Sequence, residues 1–303
     1  MLNKKNASVV FSMKPLGQLS LLACICYICL AASCHKDSEP QTPPVKKPTL
    51  LLGTSTTLGS YLTDTLGNTL YYFSNDYNGQ SNCTGGCLNV WPPYYAGEIT
   101  AASLGTGLDL ADFGTVTTPG GKQTTYKSWP LYYYAPVSGS TNVREKPGET
   151  KGEGVGNVWY VAKPDYTVML VNAQLIGNDG KSYKSDYTEG TGKTIYFSDA
   201  KGVTLYGFAK DSANLNKFTK SDFSNNAVWP IYEMDKMVVP STLDKTLFSV
   251  TTVFGKKQLS YKGWPMYYFG SDSLIRGRNK GVSVPVPKVW PAMVKDAPAA
   301  PAP

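Results

Sequence analysis

Leu70-Tyr71-Tyr72-Phe73 is the stretch on which the reading of this chain turns, because it recurs three more times. The other copies are Leu131-Tyr132-Tyr133-Tyr134, Leu205-Tyr206-Gly207-Phe208 and Met266-Tyr267-Tyr268-Phe269. Three of the four place an Asp three residues after the last aromatic, at Asp76, Asp211 and Asp272, while the copy at 131 has Pro136-Val137 there. Each copy is followed by a Trp, at Trp91, Trp159, Trp229 and Trp290. The leading residues stand 61, 74 and 61 positions apart. That alternation predicts two duplicated domains, each made of two related halves. Such repeats specify a fold and leave the reaction, if any, unspecified.

The segments around each copy read as strands and turns. Residues 61–64 and 69–73 flank Thr65-Leu66-Gly67-Asn68, a hairpin pattern, and residues 194–197 and 203–206 repeat it around Asp199-Ala200-Lys201-Gly202. The other halves have residues 124–126 and 131–133 around Lys127-Ser128-Trp129-Pro130, and residues 258–261 and 266–268 around Lys262-Gly263-Trp264-Pro265. β-Branched and aromatic residues dominate, as strands prefer, and no part of the body has a helical period with caps. The expected fold is therefore all-β: two homologous domains, each of two hairpin-based units, arranged as a sandwich, a barrel or a propeller-like ring. The first domain is expected over 50–165 and the second, divergent one over 193–294. Residues 166–192 are an unassigned connection containing Thr167-Val168-Met169-Leu170-Val171, and residues 295–303, rich in Ala and Pro, are expected to be disordered.

The N-terminal region carries Lys4, Lys5 and Lys14, then an uncharged, mostly apolar run from residue 16 to residue 33, ending in Leu30-Ala31-Ala32-Ser33-Cys34. This pattern predicts a signal peptide over 1–33, cleaved before Cys34, with lipid added to Cys34 as in bacterial lipoproteins. Loss of residues 1–33 removes three of the 29 basic residues and no acid, leaving 26 against 22 acids, or about +4. A balance so mild, with no basic cluster, argues against nucleic acid as a partner. Residues 34–49 form the anchor and a flexible tether with four prolines and five charges. Within the tether, Lys36-Asp37-Ser38-Glu39 resembles the acidic surface-export signals of some Gram-negative lipoproteins. The expected location is the outer membrane, with display at the cell surface.

His35, beside the anchor, is the only histidine. Histidine is the usual general base and the commonest metal ligand near neutral pH. Its absence from the body excludes Ser-His-Asp and Cys-His mechanisms there, and histidine-ligated zinc or haem. No nucleophile elbow, phosphate loop or dinucleotide fingerprint is present. The sequence calls for no cofactor, no metal and no catalysis.

With residues 1–33 removed and Cys34 lipidated, Cys83 and Cys87 are the remaining cysteines and can form one disulfide. Read structurally, they pin a Gly-rich loop; read functionally, they are a thiol–disulfide redox couple, although redox motifs more often have two intervening residues. Asp76-Tyr77-Asn78-Gly79 faintly suggests a calcium loop without the full ligand ladder, and an Asx-Gly turn explains it as well. Alternation along a strand places Tyr71, Phe73, Tyr132, Tyr134, Tyr206, Phe208, Tyr267 and Phe269 on the core side. Tyr72, Tyr133 and Tyr268 then point the other way, as the candidate ligand-binding row for a cell-surface glycan or protein.

The same residues carry a resemblance. Gly67-Asn68-Thr69-Leu70-Tyr71-Tyr72-Phe73-Ser74-Asn75-Asp76, then Cys83-Thr84-Gly85-Gly86-Cys87, then Trp91-Pro92-Pro93 resemble the bacterial secreted-repeat lipoproteins of unknown function, which share a Tyr-x-aromatic-x-x-Asp motif. Residues 127–134 and 154–161 resemble the second half of that repeat. The second domain keeps the motif over residues 202–211 but not the cysteines: counted from the Asp, Phe218 stands at the place of Cys83 and Asp222 or Phe223 near that of Cys87. The resemblance implies a secreted, lipid-anchored β protein and names no activity. The expected role is a non-enzymatic binding or scaffolding module, the alternative an accessory redox protein using Cys83 and Cys87.

Overall fold

Strand-forming residues punctuated by Gly and Asx turns fold into short hairpins, and these hairpins build the structure, a computed structural model that describes residues 49–303. β1 (Leu50–Ser55) and β2 (Gly59–Asp64) pair antiparallel, from Leu50 opposite Asp64 to Ser55 opposite Gly59. At the end of β2 the Asp64 carboxylate accepts the amides of Leu66 and Asn68, both at 2.9 Å, and turns the chain into the first motif. β3 (Tyr71–Phe73) holds that motif and is followed by α1 (Cys87–Val90), a single turn. The second half supplies β4 (Phe113–Thr118), β5 (Gly121–Tyr126) and β6 (Trp129–Pro130), one three-stranded sheet, and the small hairpin of β7 (Val137–Ser138) and β8 (Thr141–Asn142). β9 (Trp159–Val161) then returns to pair with β3.

The second domain repeats the plan. β10 (Met169–Ile176) lies between β11 (Ser182–Tyr183) and β12 (Lys193–Ser198), and β13 (Phe248–Val253), β14 (Lys256–Tyr261) and β15 (Trp264–Pro265) form a sheet ordered like β4 to β6. The apolar stretch at 167–171, unassigned in sequence, thus enters the second domain: β10 pairs with β12 from Met169 opposite Ser198 to Gln174 opposite Lys193. The described residues form small antiparallel sheets with no closed barrel. The expected four-residue turns at 127–130 and 262–265 tighten to two residues, because Tyr126 faces Trp129 and Tyr261 faces Trp264. Lys127 (φ 48°), Ser128 (64°), Lys262 (49°) and Gly263 (83°) take the left-handed conformations that two-residue hairpin loops need.

In each domain the two motifs cross at their second residue. Tyr71 and Tyr132 exchange both backbone hydrogen bonds at 2.9 Å, and so do Tyr206 and Tyr267. Around each crossing lies a stack of four rings. Phe73 lies on Trp159 (centroids 4.0 Å apart), Trp159 on Trp91 (3.8 Å), and Trp91 on Tyr134 (4.5 Å). The second domain stacks Phe208, Trp290, Trp229 and Phe269 at 4.2, 3.8 and 4.3 Å. This is why a Trp follows every motif: each domain's pair of tryptophans forms the middle of its stack.

The second domain's core does not stop at the domain boundary. One continuous apolar cluster contains Tyr72, Trp129 and Tyr160 of the first domain and Tyr166 of the connection together with the buried residues of β10, β12 and β14, and the described residues lie in one compact unit. Residues 295–303, expected to be disordered, instead lie against the β14–β15 hairpin. Trp264 Nε1 donates to the Pro298 carbonyl at 2.8 Å, the Ala300 amide to Lys262 O at 2.9 Å, and the Ala213 amide to Pro301 O at 2.7 Å. Main-chain hydrogen bonds hold this segment where its composition offers little apolar surface to bury.

Candidate functional site

The motif carboxylates all take one arrangement, which pairs each with the tyrosine of the sister motif. Asp76 accepts Tyr132 Oη at 2.7 Å on one oxygen and the Asn82 amide at 2.7 Å on the other. Asp211 does the same with Tyr267 Oη and the Lys217 amide, both at 2.7 Å. Asp272 takes Tyr206 Oη at 2.5 Å and the Lys280 amide at 2.9 Å. The motif at 131 has no Asp, and Glu145 replaces it. Its Oε1 accepts Tyr71 Oη at 2.6 Å and its Oε2 the Lys151 amide at 2.8 Å. Sequence reasoning missed Glu145. The signal was a shared Lys-Gly pair, Lys151-Gly152 and Lys280-Gly281, at the loop that closes over the tyrosine. The amides of Gly152 and Gly281 donate to Tyr71 Oη and Tyr206 Oη at 3.2 and 3.3 Å. A Cβ on either glycine would lie within 2.8 Å of its tyrosine ring.

Burial governs the charge of these groups. It outweighs the donors around Asp76 and pushes that carboxyl up to about 7, and it pushes Asp211 up to about 6. Asp272 and Glu145 are raised for the same reason. The tyrosine partners rise further above their ordinary value, through burial first and the adjacent carboxylates second. The motif carboxylates and Glu145 thus clamp the two halves of each domain together. At 76–79 an ordinary turn forms, with the Gly79 amide donating to Asp76 O at 2.9 Å.

The expected outward row of Tyr72, Tyr133 and Tyr268 has no fully exposed member. Tyr72 is 1% exposed and packs on Trp129, Tyr160 and Tyr166 at 5.1, 5.6 and 5.9 Å between centroids. Trp129 and Tyr160 of its own domain, together with Tyr166 and β10, whose Leu170 amide donates to Tyr72 Oη at 3.4 Å, cover the face that a two-sided alternation assigns to solvent. Tyr133 and Tyr268 are half-buried, and their hydroxyls donate to Asp64 and Asp199, both at 3.0 Å. Cys83 and Cys87 form a disulfide. Cys83 is buried in the cluster of Trp91 and Trp159. In the second domain Phe218 presents its edge to Trp290 at 4.8 Å, filling with a ring the place counted as that of Cys83. Cys34 lies outside the described residues, as do residues 1–33 and the tether up to residue 48.

A concave surface opens where the β4–β5 sheet meets the second domain, with a volume of about 470 Å³. Lys127, Lys201 and Arg276 line it, together with Asp112, Phe113 and Thr125. Lys127 lies 3.7 Å from Asp112. Arg276 lies over the Trp129 ring, 4.3 Å from its centroid, and donates through Nη1 to Ser128 O. Its Nε and Nη2 have no hydrogen-bond partner among the described residues, and burial pulls its pKa down to about 10, against the pull of Asp76 and Asp199.

The motif, the disulfide and the first tryptophan lie within one stretch that is similar to a described repeat. Residues 54–94 match a secreted-repeat lipoprotein family of unknown function. The matched secreted repeat runs from the end of β1 through the Tyr71 crossing and the Cys83–Cys87 loop to Tyr94. The family is in keeping with an extracellular or envelope location. No curated protein and no solved structure matches the chain. No helix among the described residues is long and apolar enough to cross a membrane.

Proposed function

We propose that this is a non-enzymatic outer-membrane lipoprotein, held through lipid on Cys34 and displayed at the cell surface, whose repeat body binds an acidic glycan in the cleft between its two domains. The observation that carries the reading is the cleft itself. The motif carboxylates and tyrosines are engaged with one another inside each domain, and the cleft gathers Lys127, Lys201 and Arg276 in a volume of about 470 Å³, the size of an ordinary small-ligand pocket. Asp112 offsets Lys127, and Lys201, which is exposed, remains to meet an anion, while Nε and Nη2 of Arg276 are buried. The hydroxyls of Thr125 and Ser128 and the ring of Phe113 lie beside them, a mixture that suits a sugar carrying carboxylates.

The test is calorimetric titration of the full mature chain with a uronic-acid oligosaccharide. Binding should weaken as salt is raised, because a charge pair at an open cleft is screened. Lys201→Glu, on an exposed turn, should abolish it without altering the fold. Absence of heat with the unaltered chain at low salt, or unchanged binding in Lys201→Glu, would sink the reading.

A further inference from the structure

The tips of the two equivalent hairpins, β5–β6 and β14–β15, carry the same three side-chain donors, and each set faces main-chain carbonyls. At the first tip, Lys127 Nζ donates to Pro164 O at 2.9 Å and Trp129 Nε1 to Ala200 O at 3.1 Å, while Tyr126 Oη donates to the Asp112 carboxylate at 3.1 Å with Pro164 O 3.4 Å away. At the second tip, Tyr261 Oη donates to Lys295 O at 2.9 Å and Lys262 Nζ to Lys295 O and Ala297 O, both at 2.9 Å. There Trp264 Nε1 donates to Pro298 O at 2.8 Å. The repeat therefore contains a carbonyl-capturing tip. The first tip grips the body of the protein, since Pro164 leads towards β10 and Ala200 lies in the turn after β12, and its Trp129 is buried. The second tip grips only the irregular segment 295–301, and its Trp264 is half-buried.

The contacts made by this segment show what the second tip selects. Every hydrogen bond between the tip and 295–301 uses main-chain atoms of the segment. Pro298 and Pro301 present carbonyls and have no N–H that would need a partner. Aromatic grooves that take proline-rich chains work in this way, with a tryptophan N–H meeting a carbonyl of a chain whose φ angles are already restricted.

We propose that the Tyr261-Lys262-Trp264 tip is a docking site for an Ala/Pro-rich segment of another polypeptide, and that residues 295–301 hold it closed in cis. A tethered occupant acts at an effective concentration of roughly millimolar. An incoming chain enters when that occupant is loosened. Ala300→Pro loosens it by removing the amide that donates to Lys262 O, and leaves the three donors of the tip in place.

The probe is a fluorescent peptide of the sequence of residues 294–303, added to the full chain and followed by anisotropy. It should bind Ala300→Pro at least about tenfold more tightly than the unaltered chain, the release expected when an intramolecular competitor is weakened. Adding Trp264→Phe should reverse that gain, and a Gly/Ser peptide of equal length should not bind. A folded Ala300→Pro chain that takes up no peptide at millimolar concentration overturns the proposal, as does binding indifferent to Trp264→Phe or to peptide sequence. Hydrogen exchange on the unaltered chain gives an independent check. The Ala213 and Ala300 amides should exchange much faster than those of Tyr206 and Tyr267. Exchange of all four only by global unfolding means that the segment never leaves the tip, and the proposal fails. A concentration-dependent dimer that Trp264→Phe abolishes would make a second copy the occupant and overturn the choice of partner.

Discussion

Glu145 shows how a residue outside the motif can complete it. Its carboxylate stands eleven residues beyond Tyr134, yet it makes the two bonds that Asp272 makes three residues beyond Phe269. The longer side chain and the β7–β8 excursion bring it back to the same tyrosine position. Replacing it by Ala leaves Tyr71 Oη and the Lys151 amide without their acceptor, which should cost about 1–3 kcal/mol, read from urea unfolding. Glu145→Gln should cost less, since an amide keeps one acceptor. The raised carboxyls also set a pH dependence. Asp76 and Asp211 titrate near 7 and 6 in the fold and near about 3.9 in the unfolded chain. The folded state then binds more protons between those values, so stability falls as pH rises from about 4 to about 7 and levels off above. The thermal midpoint should be higher at pH 5 than at pH 8, and Asp76→Asn should flatten that difference. The presence of the motif carboxylates was legible in the sequence. Their partners were not, because each tyrosine belongs to the other half and only the crossings at Tyr71–Tyr132 and Tyr206–Tyr267 bring the two together.

Strands and hairpins were legible because Thr, Val and Tyr alternate with Gly and Asx turns, and the hairpins at 61–73 and 194–206 form where the pattern puts them. The exposed face was misread for a definite reason. Alternation assumes solvent on one side of a strand, but β3 is covered on both sides, and Tyr72 is caught between Trp129 and Tyr166. The disulfide belongs to the same scale. It closes a loop of only a few residues between β3 and α1, so its removal should cost no more than about 2 kcal/mol in the chain-entropy account. Cys83→Ser with Cys87→Ser should lower the urea midpoint while the aromatic packing persists. A greater loss would mean that the sulfurs also matter as packing atoms beside Trp91 and Trp159.

Across the whole molecule, the sequence separates two domains that the structure joins. The shared cluster around Tyr72, Trp129, Tyr160 and Tyr166 predicts one cooperative unfolding transition for residues 49–303, with calorimetric and van't Hoff enthalpies in agreement. Tyr72→Ala opens that cluster and should cost about 3–5 kcal/mol, as for other large buried rings. Two separate transitions in the scan would restore independent domains. Gly207 holds the matching place in the second domain. A side chain there would meet the Met293 methyl at 2.8 Å, so this buried position has no room for the ring that Tyr72 places at the equivalent buried position of the first domain. The sequence shows Gly207 interrupting the aromatic row; that Met293 crowds the place was not legible, because it comes from far along the chain.

The parallel tryptophans have a consequence for light. Trp91 and Trp159 lie face to face at 3.8 Å, as do Trp229 and Trp290, close enough for their electronic transitions to couple. Each pair should give an exciton couplet in circular dichroism, one reporter for each domain. Trp91→Phe should remove the first couplet and leave the second, so that loss of ring stacking can be followed in either half by its optical signature, with no added label.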